Sequence, residues 1–419
     1  PEFLVPVGDR DDDAGPDERV SEIIDAVIEN EHITTLGLWQ THFSDASVAH
    51  VARVLNSNPR ITSLSIENPR RLTPAGLSAL ADALGPSKLR TLSLKIPPQS
   101  STPTADGGAD DAAAMRMRFD QALGRLFTAA LRTSDQLRSI TIAPTDTIAD
   151  LRDGAGMGNL SYSLDALAQS LVANAGSIVS VDISGVQAWG DDEINSLLHA
   201  LAWRGGEHTL TRLALTNTSC GDQGAMALAG FLKGSGTTTV LNTIELDYSN
   251  IGDAGVTAIA KAIKRQSLTP FQNQLRHLSL VNTPISTVGA VALLDALRHN
   301  RQVRAAKVRA ATKAPEGSAE DHGTIPTSAD IGFGLESIAL RRTGHHVRTL
   351  QQEAKLPKID KRLLQQIHKE CALNRDDRLR SQALEKRHGG KIPSLELLGN
   401  DAGVAGASGT EDKPRHDEM

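Results

Sequence analysis

His345, His346, His368 and Cys371 are residues of metal-ligating type, and His368 and Cys371 stand one helical turn apart. The competing reading is packing. Ile359, Leu363, Ile367 and Cys371 fall on one face of a helix, which makes the thiol part of an apolar stripe and leaves the histidines to solvent. "GAGMGN", Gly154 to Asn159, is rich in glycine and precedes a helix, but it lies far from its strand and lacks the last glycine of a dinucleotide loop. The chain has no phosphate-loop lysine motif and no nucleophile elbow. No catalytic residue, metal or cofactor is therefore assigned, and the chemistry expected is recognition.

Composition agrees with a large aliphatic core. Of 419 residues, 39% are hydrophobic but only 3% aromatic, so Leu, Ile, Val and Ala must fill the interior. No run approaches the roughly 18 apolar residues of a membrane helix, and the start of the chain has no basic-then-apolar leader pattern. Two cysteines exclude a disulfide framework, which fits a reducing compartment and a cytoplasmic location.

Eight segments repeat the order apolar-x-x-apolar-x-apolar, as in Ile33/Leu36/Leu38, Ile61/Leu64/Ile66, Leu241/Ile244/Leu246 and Leu275/Leu278/Leu280; Val303/Ala306/Val308 and Leu335/Ile338/Leu340 are weaker matches. The last two apolar positions are two apart, so they share one face of a short strand. A glycine follows at Gly76, Gly224, Gly255 and Gly289, then apolar residues at plus four and plus eight, the spacing of a helix face. Thr73, Asp222, Asp253 and Thr287 stand where each helix would take its N-cap. Units start at 33, 61, 89, 137, 178, 210, 241, 275, 303 and 335, with a basic period of 28 stretched by insertions. One such unit cannot bury its apolar face alone, so neighbours must stack.

From Ile33 to about Asn374 the chain resembles the ribonuclease-inhibitor-type leucine-rich repeat proteins. That resemblance implies an α/β solenoid: a curved horseshoe of parallel inner strands and outer helices, with about ten repeats and irregular insertions. The family usually carries Asn or Cys three residues after the last strand leucine. Here Thr41, Thr145, Thr218, Ser249 and Thr283 hold that place, and a hydroxyl can make the same turn bond more weakly. Two residues further on, Cys220 takes a core position shared with Ile251 and Ile285.

The domain reading follows from composition. Residues 1–20 are set outside the fold, as disordered or as appended to the native chain. The repeat domain spans 21–375, opening with a cap helix at Ser21 to Asn30 over the edge of the first strand, and it carries loop insertions at 96–114 and 311–334. Residues 376–419 read as a basic helical extension and a disordered tail. Charge is segregated: residues 1–31 carry eleven acids, whereas 298–313 carry six basic residues and none.

The function expected is a non-catalytic interaction module or scaffold whose concave face and basic C-terminal end bind a protein, with an acidic patch on that partner. The candidate contacts on the exposed strand positions are Trp39, Glu67, Lys95, Arg212, Glu245, Asp247, Tyr248, Arg276, His277, Arg304, Lys307 and Arg309. Nucleic acid is disfavoured, since Phe333 is the only aromatic after residue 290 to stack on a base. Three alternatives stay open: a secreted bacterial effector acting on a host protein, a cytoskeletal or axonemal adaptor similar to the tropomodulin repeat domain, and a ubiquitin ligase activity in the C-terminal part. Against the last, Cys371 is followed by "ALN" and lacks the Cys-x-Asp of bacterial leucine-rich-repeat ligases.

Overall fold

The computed structural model describes residues 2–6, 26–39, 44–67, 72–84, 87–96, 109–132, 136–144, 161–173, 178–186, 189–202, 210–233, 241–266, 275–312, 337–340 and 359–387. Ten parallel strands form one sheet in chain order. They are β1 (Glu2–Pro6), β2 (Thr35–Trp39), β3 (Ser63–Glu67), β4 (Thr91–Ile96), β5 (Ser139–Pro144), β6 (Ser180–Asp182), β7 (Arg212–Ala214), β8 (Thr243–Glu245), β9 (His277–Ser279) and β10 (Ser337–Ala339). A helix follows each: α1 (26–29), α2 (Asp45–Ser57), α3 (Pro74–Leu84), α4 (Ala109–Arg132), α5 (Ser161–Ala173), α6 (Asp191–Ala202), α7 (Asp222–Lys233), α8 (Asp253–Gln266), α9 (Thr287–Thr312) and α10 (Lys361–Arg387).

The strand pattern explains the core. Leu36, Leu64, Leu92, Ile140, Val181, Leu213, Ile244, Leu278 and Ile338 stand in register across β2 to β10 and face the helices in one continuous apolar cluster. Packed helices sit about 8–10 Å apart and paired strands about 4.8 Å. Stacking the two layers must therefore curve the sheet with its strands inside.

Behind β7, β8 and β9 the hydroxyls work as donors, while Thr41 and Thr145 lie outside the described residues. Thr218, Ser249 and Thr283, all buried, give their O–H to the carbonyls of Leu215, Leu246 and Leu280 at 2.9, 2.7 and 2.7 Å. Thr283→Val keeps the shape and strands the Leu280 carbonyl, so a loss of about 1–2 kcal/mol is expected, while Thr283→Ser is spared. Urea melts check this; equal midpoints for the Val and Thr chains would remove the hydroxyl from the account.

Consecutive helices are tied by a relay of carboxylates. Asp191 Oδ1 accepts from the N–H groups of Gly221 (2.6 Å) and Gly224 (2.9 Å), and Asp222 Oδ1 from those of Gly252 and Gly255, both at 2.8 Å. Asp253 Oδ1 does the same for Ser286 and Gly289, each at 2.9 Å. Each acid thus caps the helix of the next unit, not its own as the spacing suggested. Thr73 caps its own helix, accepting from the Ala75 N–H at 3.1 Å, and its backbone N–H in turn bonds Asp45 Oδ1 at 3.0 Å; α9 opens at the expected cap Thr287, and its cap is Ser286, which accepts from the Val288 N–H at 3.1 Å.

Several boundaries differ from those the sequence suggests. Residues 2–6, set outside the fold, pair in parallel with β2, Phe3 opposite Leu36 and Val5 opposite Leu38. β2 is therefore not an edge awaiting a cap, and 26–29 are the helix of the first unit; 21–25 lie outside the described residues. Of the insertion placed at 96–114, Ile96 ends β4 and 109–114 open α4. Val303, Ala306 and Val308 are not a strand, because α9 runs unbroken through them to Thr312. The sheet still has ten strands, β1 taking the place of that false one. The division at 375 falls inside α10, a single helix to Arg387. The segments 313–336 and 388–419 lie outside the described residues.

Candidate functional site: the inner face of the sheet

Strand alternation leaves three rows of side chains on the inner face. The first is Thr35, Ser63, Thr91, Ser139, Ser180, Arg212, Thr243, His277 and Ser337; the second is Gly37, Ser65, Ser93, Thr141, Asp182, Ala214, Glu245, Ser279 and Ala339. Glu67, Lys95 and Ala143 begin a third. Over β3 to β5 the face is a ledge of half-buried hydroxyls with no large side chain in its first two rows.

The charges on this face are paired with one another. Arg212 grips Glu245 with both prongs of its guanidinium, Nε to Oε1 and Nη2 to Oε2 at 3.0 Å each, and reaches Asp182 Oδ2 with Nη1 at 3.2 Å. Burial works against the Arg212 charge, but the bonds and charges of Glu245 and Asp182 outweigh it and raise its pKa. Lys95 Nζ bonds Glu67 Oε1 at 2.5 Å. Asp247 Oδ1 accepts from the Ser279 hydroxyl at 2.5 Å and the Val281 N–H at 2.8 Å.

The expected contacts therefore divide. Glu67, Lys95, Arg212, Glu245 and His277 lie on inner strands, and Asp247 just beyond one. Trp39 ends β2 opposite Glu67. Arg276 precedes β9, so it belongs to the entry of the strand and not to its face. Arg304, Lys307 and Arg309 are in α9, in the helical layer, which removes the basic end from the inner face. Arg298 and Arg301 of the same helix pair with the buried Glu370 of α10 at 3.7 and 3.3 Å.

Tyr248 is not on a strand either. It sits in the turn after β8 at φ 58°, where the neighbouring units place Gly185, Asn217 and Asn282 at φ 82°, 56° and 58°. Glycine and asparagine adopt this left-handed conformation readily; a tyrosine does so at a cost.

Asp182 was not among the sequence candidates. Its signal is a repeat-length spacing from Arg212, 30 residues on, with Glu245 another 33 beyond. Neither cysteine offers a nucleophile. Cys220 and Cys371 are buried, and burial, reinforced by nearby carboxylates, pushes both thiols up to about 12. Cys371 moves that far despite a hydrogen bond from the backbone of Ile338. His368 is exposed, and no cluster of metal-ligating side chains forms among the described residues. His345, His346 and the 154–159 segment lie outside them. No described helix is long and apolar enough to cross a membrane.

An open parallel sheet backed by one helix per strand, with a hydroxyl closing the turns after β7, β8 and β9, defines a leucine-rich repeat solenoid. Residues 239–260 match the family model described as "Leucine Rich repeat". Among solved structures, leiomodin-1 actin-binding site 2 is 14% identical, with 53% of this chain and 95% of that one covered at a TM-score of 0.33. The Rad7 and Elc1 complex of yeast is 13% identical over 65% of this chain and 70% of that one, TM-score 0.30. An internalin from Listeria monocytogenes is 13% identical over 67% and 95%, TM-score 0.19. No curated protein matches the chain.

Proposed function

We propose that this leucine-rich repeat protein is a non-catalytic scaffold that takes a protein partner on the inner face of its sheet. The observation that carries the reading is the unbroken in-register ledge of small hydroxyl side chains over β3 to β5, running into the Asp182–Arg212–Glu245 network. Short side chains let a partner's backbone approach the sheet, and the charge network offers fixed polar groups at one end of the approach. With Lys95 and Arg212 both neutralised by neighbours, the inner face carries no surplus of basic charge to seek an acidic patch. A cytoplasmic setting fits the two buried free thiols. The ribonuclease-inhibitor subtype is part of the same reading, supported by the 28-residue step from Ser63 to Thr91 and by a full helix after each inner strand from β2 onward.

The test is a partner captured with the intact chain and titrated against variants. Ser93→Arg on the ledge is expected to weaken binding at least about tenfold, while Val288→Arg, on an outer helix and 66% exposed, leaves it unchanged. The reverse pattern would place the site on the outer layer. Tyr248 sharpens the test. Tyr248→Asn is expected to stabilise the chain by about 0.5–1 kcal/mol, because asparagine tolerates the left-handed turn, and to weaken partner binding at the same time. A gain in melting temperature with affinity intact would leave the tyrosine without a binding role.

A further inference from the structure

α10 packs on α9 and on β10, where the backbone of Ile338 bonds the Cys371 sulfur, and it turns Leu363, Ile367 and Cys371 into the core. Its side next to α9 is polar. Gln366 Oε1 lies 3.5 Å from Arg298 Nη2, which sets that face of α10 along α9, and Arg362 and Lys369 share the face, four residues before Gln366 and three after it. Four exposed cations thus line one seam: Arg298 and Arg301, one turn apart on α9, and Arg362 and Lys369 on α10.

The acids beside the seam are already engaged. Glu370 is buried beneath the two arginines, Asp295 is bonded by Lys264 of α8, and Asp360 Oδ1 accepts the Arg362 N–H at 2.9 Å to cap α10. With Lys264 counted, five cations stand against three acids. Glu370 meets Arg298 and Arg301 at 3.7 and 3.3 Å, and its Oε2 has no hydrogen bond among the described residues. These contacts are attractions of charge: they fix where the guanidiniums stand and leave their N–H forks open to another acceptor.

We propose that the α9/α10 seam is a docking surface for an acidic segment of a partner protein, its carboxylates taken by Arg298, Arg301, Arg362 and Lys369. Alternate side chains of an extended peptide recur about every 6.8 Å, a spacing that two long side chains one turn apart can meet. The whole chain carries a net charge of -6, so an acidic segment is repelled elsewhere and drawn to this seam. Nucleic acid fits it less well, because α8, α9 and α10 hold no Phe, Tyr or Trp to stack on a base. The seam belongs to the helical layer and not to the inner face, so it stands or falls apart from the scaffold reading above.

A fluorescent octaglutamate peptide titrated into the intact chain tests this, beside an octaglutamine peptide, a DNA duplex and phosphatidylserine vesicles. The glutamate peptide is expected to bind, the glutamine peptide is not, and raising salt from about 50 to about 300 mM is expected to weaken binding several-fold. Arg362→Glu with Lys369→Glu is expected to weaken it at least about tenfold, as is Arg298→Gln with Arg301→Gln. Lys88→Glu, an exposed change before β4, and Ser93→Arg on the inner face are expected not to weaken it. Should the Arg298/Arg301 pair loosen α10, the Arg362/Lys369 pair, exposed on the helix surface, still carries the test. No binding at low salt would overturn the proposal, as would binding that survives Arg362→Glu with Lys369→Glu. Tighter capture of the duplex or the vesicles than of the glutamate peptide, lost in the same variants, would assign the seam to nucleic acid or lipid and overturn it equally.

Discussion

Gly255→Leu destabilises the chain by about 2–4 kcal/mol and loosens the units on both sides of it. A Cβ at this glycine would meet Asp222 Oδ1 at 2.7 Å, the Ala225 Cβ at 2.8 Å and Ile251 Cγ2 at 3.0 Å. The carboxylate is the group that holds the Gly252 and Gly255 amides, so a side chain here collides with a neighbour and breaks the tie between α7 and α8 in one step. Gly230→Leu is the control: nothing lies within 4 Å of its Cβ position, and a leucine in a helix is expected to cost nothing there. Hydrogen exchange across 210–300 should rise for the first variant and stay put for the second. A Gly255→Leu chain as protected as wild type would make that close approach incidental.

Asp253→Ala is expected to cost about 1–2 kcal/mol, the loss of a cap, with the damage centred on α9. It carries a pH signature of its own. Burial acts on the Asp253 carboxyl first, in the upward direction, but the Ser286 hydroxyl and the Ser286 and Gly289 amides outweigh it and hold the pKa below its ordinary 3.8. A carboxylate depressed in the folded chain stabilises fully above its unfolded value and gives that stability up as pH falls through the folded one. The gap between wild type and Asp253→Ala is therefore expected to be constant near neutrality and to close in acid below 3.8. Thermal melts from pH 7 downward measure it. A gap that widens in acid would contradict the relay.

The strands β2 to β9 were legible because each buries two side chains on one face, and that demand writes the same apolar order into every unit. Val303, Ala306 and Val308 mimicked it because a helix also accepts apolar residues three apart, and nothing between Asn300 and Thr312 breaks α9. β1 escapes because the helix expected at Ser21 to Asn30 reads as a cap over β2 and not as the second half of a unit that opens at Glu2–Pro6. The hydroxyls of Thr218, Ser249 and Thr283 were readable from position alone. The acid relay was not, since Asp222 and Gly255 meet only once α7 lies beside α8. On the inner face the sequence named Arg212 and Glu245 but not their bond, and it gave Tyr248 to a strand because the turn that follows has no apolar marker.

The solenoid also fixes the direction of its helices. From α2 to α9 each returns the chain to a parallel strand, so their N-termini line up on one rim and their dipoles lie side by side, an arrangement in which each positive end repels the next. Asp45, Asp191, Asp222 and Asp253 each stand in the first turn of one helix and bond the start of its neighbour, so one negative charge is shared between two positive ends. Such a rim would otherwise collect phosphates and carboxylates from solution. At the starts of α3, α7, α8 and α9 these amides are already engaged and the field is offset from within, so these four helix ends are poorly disposed to take an anion from solution.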